Sequence, residues 1–204
     1  DAYKIAISFK RDYLDAYYNM GIAYGTLEEG GGDVLDNAVG ALKQSIRLNS
    51  TFIHGYIALG AAYIRKEDFK SALDVLRQAI LIDAKNPNAH YYIGVACRAT
   101  KEFEKAAVSL STSVLLKPDS LQIQYFLGLV LIDCKNFQSA CDAFNEAVRI
   151  KPDFAEGHFM LGYTYLENLS DIEKGTYHLN KAEKLYIKLE DFDRLERVRA
   201  MRVK

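Results

Sequence analysis

Several familiar functional signals are missing from this 204-residue chain. Its three cysteines, Cys97, Cys134 and Cys141, are odd in number and form no CxxC pair, which argues against a disulfide framework and fits a reducing compartment. No stretch approaches the roughly 18 uncharged apolar residues of a membrane-spanning helix, and no basic-then-apolar leader is present. The 26 basic and 27 acidic side chains leave a net charge of -1, so the whole molecule has no strong field for gathering nucleic acid or an anionic membrane, and no nucleic-acid partner is expected. The sequence opens on Asp1 rather than Met, and is therefore expected to be a processed or trimmed chain.

Catalytic constellations are missing as well. The stretch TLEEGGGDVLDNA (residues 26–38) sets three glycines beside four carboxylates, but it lacks the lysine and hydroxyl of a phosphate-binding loop and a preceding strand. Glu28, Glu29, Asp33 and Asp36 also lack the oxygen-ligand spacing of an EF-hand. His90 and His158 are two repeat lengths apart with Gln124 between them, so packing or surface roles are expected of them rather than a metal site. Cys134 and Cys141 are separated by the turn KNFQ, and no acid, base and nucleophile converge. We expect no enzyme, no cofactor and no metal. The basic end, with Arg194, Arg197, Arg199, Arg202 and Lys204, is offset by three acids from Asp191 onward and lacks interleaved aromatics, so it reads as a solvated cap.

What the chain does contain is a ruler. Gly60, Gly94, Gly128 and Gly162 are spaced 34 residues apart. Twelve residues after the first three glycines come Ala72, Ala106 and Ala140; Leu76, Leu110 and Phe144 follow, then Ala79, Ser113 and Ala147, and finally Ala84, Pro118 and Pro152. The apolar spacing in IHGYIALGAAYI and SACDAFNEAVRI is helical, so each unit is a pair of short helices. A glycine inside the first helix costs roughly 1 kcal/mol in propensity, so its recurrence points to a close crossing, met by the small residue that opens the second helix.

These residues resemble the tetratricopeptide repeat (TPR) family. Around Gly60 the pattern is carried by Tyr56, Leu59, Tyr63, Ala72, Leu76 and Ala79; around Gly94 by His90, Ile93, Cys97, Ala106, Leu110, Ser113 and Pro118; around Gly128 by Gln124, Leu127, Leu131, Ala140, Phe144, Ala147 and Pro152. The resemblance implies an all-α fold, a right-handed α-solenoid of helix-turn-helix repeats forming one domain over 1–204. Residues 1–14 would be the second helix of a truncated repeat and 15–50 a first complete repeat. Regular repeats would occupy 51–84, 85–118 and 119–152, the last repeat 153–187, and a capping helix with a Leu195, Val198 and Met201 stripe 188–204. From Gly21 to Ala38 the interval is 17 residues rather than 12, so five added residues are expected in the turn of the first complete pair. In the last repeat, Gly175, Leu179 and Ala182 are displaced by one, and the inserted residue is expected in the turn NLSDIEKG.

In TPR proteins the first helices line a concave surface. The resemblance therefore implies a peptide-binding groove formed by Tyr18, Ile57, Tyr91, Tyr125 and Phe159, three residues before each glycine, and by Ile22, Ala61, Val95, Leu129 and Tyr163, one residue after it. His54, Asn88, Gln122 and Glu156 would supply polar contacts along one edge. The Lys and Asn of the carboxylate clamp used by co-chaperones are missing, because Tyr18 with Ile22, Ile57 with Ala61, and Tyr91 with Val95 occupy those positions. The expected function is a non-enzymatic protein-interaction scaffold that binds a peptide or helix. The alternative is a self-assembling structural TPR protein, a homo-oligomer that scaffolds a membrane-bound compartment or complex, such as a magnetosome-associated protein. The implied location is the cytoplasm or the periphery of a membrane or organelle, reached through a protein partner.

Overall fold

The computed structural model describes residues 2–10, 12–26 and 32–202. Among them are twelve α-helices, one π-helical segment and no strand, an all-α arrangement of the TPR-like α-solenoid type. The chain divides into two compact units, 1–102 and 103–204.

The first unit holds α1 (Ala2–Phe9), α2 (Leu14–Thr26), α3 (Gly32–Leu48), α4 (Ile53–Arg65), α5 (Phe69–Ile82) and α6 (Pro87–Ala99). Helices α2 and α3 pack as one pair and α4 and α5 as the next. Their core includes Ala38, Leu42, Leu59, Ala62, Ala72, Leu76 and Ala79, all buried. Asp68 caps α5 by accepting a hydrogen bond from the Ser71 backbone N–H at 3.1 Å. Asn86 caps α6, with Pro87 in the first turn, where a missing N–H costs nothing.

The second unit holds α7 (Phe103–Leu116), α8 (Leu121–Asp133), α9 (Phe137–Ile150), α10 (Ala155–Tyr163), a π-helical turn (Thr164–Asn168), α11 (Ile172–Lys188) and α12 (Phe192–Arg202). Helices α8 and α9 pair, as do α10 and α11. The expected stripe on the terminal helix is in place: Leu195 and Val198 are buried against Leu179, Ala182 and Tyr186 of α11, and Met201 packs beside them.

The recurring glycines make room chiefly for the large residue of the second helix, not for the small one that opens it. A Cβ on Gly60 would lie 2.5 Å from Leu76 Cγ, and one on Gly128 would lie 2.4 Å from Phe144 Cε1. At Gly21 and Gly162 the clash would be with Leu42 and Leu179. The first helix thus has a notch that receives a Leu or Phe knob.

Both insertions settle differently from the expectation. Helix α3 has 17 residues against 14 in α5, α7 and α9, because it begins at Gly32, earlier in the repeat register than the others. Part of the added length is therefore helix. Asp33 and Asp36 lie on α3, where Asp36 ion-pairs with Lys66; Glu28, Glu29, Gly30 and Gly31 lie outside the described residues.

In the last repeat the turn keeps its regular length and the extra residue enters the first helix. The regular turn is a Schellman closure: the Asp68 N–H donates to Tyr63 O at 3.0 Å and the Glu67 N–H to Ile64 O at 2.9 Å, with Glu67 at φ 60°. The same closure recurs at Lys101 and Lys135, with φ 62° and 58°. At Ser170, φ 55°, the left-handed residue recurs, but the Leu169 N–H reaches back to Thr164 O, the i→i−5 bond of a π-helix, and the Asp171 N–H reaches Tyr165 O, one residue further than in the regular turn. A π-turn absorbs one residue without moving the caps on either side, and here it leaves Asn168 Oδ1 buried without a hydrogen-bond partner.

Candidate protein-interaction groove

In the first unit, helices α2, α4 and α6 border a pocket of about 410 Å³. Six of the residues expected in the groove line it: Tyr18, Ile22, His54, Ile57, Ala61 and Asn88. The repeat explains this convergence, because equivalent positions on successive first helices face the same way. Its floor is apolar, formed by Leu42, Ala58 and Ala62, and the glycines Gly21 and Gly25 let the backbone of α2 form one wall. Tyr18 also packs edge-on against Phe52, ring centres 5.1 Å apart.

Tyr92, Arg65, Asn86 and Thr26 also line the pocket, and none of them is in the expected set. Tyr92 lies two residues before its glycine, one step from the predicted ladder position, and burial followed by the nearby Tyr18 raises its phenol pKa. Its neighbour Tyr91, which was expected to be a principal anchor, is 8% exposed and packs edge-on against Tyr92 at 5.1 Å. Val95 is half-buried on the same helix.

In the second unit the expected ladder residues are largely engaged with the protein itself. Tyr125 packs edge-on against Phe154 at 5.2 Å, and its hydroxyl lies 3.5 Å from Glu156 Oε1. Glu156 also accepts a 2.7 Å hydrogen bond from the Tyr186 hydroxyl and pairs with Arg194 of α12 at 3.6 Å. Burial, reinforced by Glu156, raises the Tyr186 phenol pKa. Phe159 packs on the α11 and α12 cluster. Glu156 and Phe159, both expected to face the groove, are thus in contact with α11 and α12. Leu129 and Tyr163 are half-buried, and Gln122 is exposed.

The histidines do not act alike. His90 Nε2 lies 2.9 Å from Ala84 O, tying α6 to the connection before it. His158 and His178, unlinked by any sequence pattern, meet with their Nδ1 atoms 3.0 Å apart. Cys97 and Cys141 are buried; burial pushes the Cys141 thiol up to about 11, against the pull of a Tyr165 hydrogen bond. Burial also raises the half-buried Cys134, so neither thiol is poised as a thiolate nucleophile near neutral pH. Among the described residues no three His, Cys, Asp or Glu side chains gather as a metal site, and no helix is long and apolar enough to cross a membrane.

Two stretches match family descriptions: residues 60–97 as "TPR repeat" and residues 121–154 as "Tetratricopeptide repeat". No curated protein matches the sequence. Among solved structures, the chain is similar to YrrB, described as a TPR protein with an unusual peptide-binding site: 22% identity, TM-score 0.68, covering 91% of this chain and 92% of that one. It is also similar to MamA of Desulfovibrio magneticus RS-1, residues 41 to the end, at 20% identity and TM-score 0.73 over 86% of this chain and 96% of that one. A further MamA structure aligns at 22% identity and TM-score 0.71, covering 78% and 92%. The repeat register, the two matched stretches and the shared fold assign this chain to the tetratricopeptide repeat family, whose paired helices form a protein-interaction fold.

Proposed function

We propose that the chain is a non-enzymatic assembly scaffold: a self-assembling structural TPR protein that organises a complex or membrane-bound compartment, of the magnetosome-associated kind. The observation that supports this reading is the recurrence of MamA among the similar structures, with alignments covering 92% and 96% of the MamA chains compared above. Contact with a membrane would run through a partner protein. Sedimentation velocity of the full natural chain across a wide concentration range tests it. Reversible growth beyond a monomer is expected, and a monomer at every concentration would refute it.

A second reading, peptide capture, is favoured by the pocket of α2, α4 and α6. Its apolar floor and the rings of Tyr18 and Tyr92 suit one large apolar side chain, flanked by polar contacts from His54 and Asn88. Aromatic anchors bring contact area with few rotamers to immobilise. Peptides selected from a displayed random library should bind the wild-type chain and lose affinity for Ala61→Arg, which fills the pocket from a half-buried position. Equal binding to both proteins would place the peptides elsewhere.

A further inference from the structure

We propose that His158 and His178 form a pH-sensitive latch that holds α11, and with it α12, on α10 near neutral pH and releases them in mildly acidic medium.

The two Nδ1 atoms are 3.0 Å apart and the ring centres 5.2 Å apart, with 27° between the ring planes. The rings therefore meet nearly head to head, the arrangement of an N–H···N hydrogen bond. His158 is 4% exposed, and its Nε2 lies 3.2 Å from the carbonyl oxygen of Pro152. A carbonyl only accepts, so Nε2 carries the hydrogen, and the neutral ring presents a bare Nδ1. His178 Nδ1–H then donates to it. One further proton on His178 Nε2 leaves this bond intact but puts a charge in a largely buried place. A proton on His158 Nδ1 as well would set N–H against N–H and break it.

The surroundings oppose both protonations. Burial lowers both rings first; for His178 the His158 ring and Lys181 add to it, bringing it to about 4, and Lys181 also lowers His158. From the π-turn, Tyr165 stacks on His178 at 5.9 Å, and from α11 Tyr177 meets it edge-on at 5.1 Å. Lys174 lies over the Tyr165 ring and is paired with Asp171 at 2.9 Å, while Cys141 of α9 hydrogen-bonds to Tyr165. Both folded rings titrate below the ordinary 6.5, so the open state binds protons more readily. The closed state is favoured above about pH 6.5 and loses that advantage as the pH falls toward 4. Opening would free α12, since Leu195 and Val198 are held on α11 by Leu179, Ala182 and Tyr186.

Hydrogen exchange on the full chain, corrected for intrinsic rates and referenced to α8 and α9, tests the latch. The opening equilibrium of residues 172–202 is expected to rise about ten-fold between pH 7 and pH 5. His178→Asn, which keeps an N–H donor near the Nδ1 position and cannot titrate, should flatten that rise. A flat wild-type profile, or an equally steep one in the variant, would overturn the proposal. Should the variant fail to fold, nitrogen NMR of the wild-type imidazoles decides. Hydrogen on Nε2 of His158 and Nδ1 of His178, with His178 titrating below pH 5, supports the latch; titration of His178 near 6.5 refutes it.

Discussion

Replacing Gly128 with alanine should destabilise the protein, while the same replacement at Gly40 should stabilise it. Both glycines lie inside helices, α8 and α3, so each substitution gains roughly 1 kcal/mol of helix propensity. They differ in what the new methyl meets. At Gly40 nothing lies within 4 Å, and the position is exposed. At Gly128 the Cβ would lie 2.4, 2.6 and 2.7 Å from three atoms of the Phe144 ring, which is fully buried and cannot swing away. Overpacking of this kind costs about 1–3 kcal/mol, and contacts so short belong at or above the upper end. The net expectation is a loss of about 2 kcal/mol for Gly128→Ala and a gain of about 0.5–1 kcal/mol for Gly40→Ala. For a chain of this length that is a fall in Tm of about 4–8 °C against a rise of a few degrees. Urea unfolding followed by circular dichroism, alongside hydrogen exchange of α8 and α9, separates a local loss from a global one. If Gly128→Ala were neutral or stabilising, the knob-and-notch account of the 34-residue ruler would be wrong.

Two further substitutions probe the edges of the repeats. Tyr186→Phe removes the hydroxyl that donates to Glu156 Oε2 at 2.7 Å while keeping the buried ring; because Tyr125 and Arg194 remain near the carboxylate, urea unfolding should show a loss of about 1–2 kcal/mol. Glu67→Gly relieves a left-handed backbone at φ 60°, so calorimetry should show a gain of about 0.5–1 kcal/mol, whereas an unchanged or lower Tm would mean that the Glu67 side chain supports the turn.

The repeat was legible because its period and its packing have one cause. A glycine notch and a Leu or Phe knob must sit at fixed offsets for two helices to cross closely, so Gly60 with Leu76 and Gly128 with Phe144 mark the same contact in sequence and in space. The insertions were less legible because length is visible in sequence but its placement is an energetic choice. The extra residue near Gly162 could lengthen the turn or bulge the helix. Placing it in the helix keeps the left-handed residue at Ser170 and the Asp171 cap, which accepts from the Lys174 N–H at 3.0 Å, and the π-turn is the smaller disturbance. The His158 and His178 contact had no signal, since the two residues belong to different helices: His158 shares its place in the repeat with His90, but no other repeat has a histidine at the place of His178.

The groove was legible as a set of directions, not as a set of free surfaces. The positions three before and one after each glycine follow from helix geometry, and in the first unit they do converge on the pocket. In the second unit the same rule points Phe159 and Glu156 toward α12, which packs against both. Yet a local signal for the placing of α12 was present. The segment YIRKEDF at 63–69 leads from α4 into α5, and YIKLEDF at 186–192 leads from α11 into α12. Glu67 and Glu190 share the left-handed turn, at φ 60° and 55°, and Asp68 and Asp191 cap the following helices through Ser71 and Arg194. The last part of α11 therefore has the exit of a first helix, and α12 leaves it as a second helix would. In this register Tyr186 takes the place of Tyr63, and its burial at 1% exposure on Glu156 ties the terminal helix to the preceding repeat. A helix entered through a repeat's own turn inherits a defined packing angle. That is why it packs over Phe159, the last ladder position.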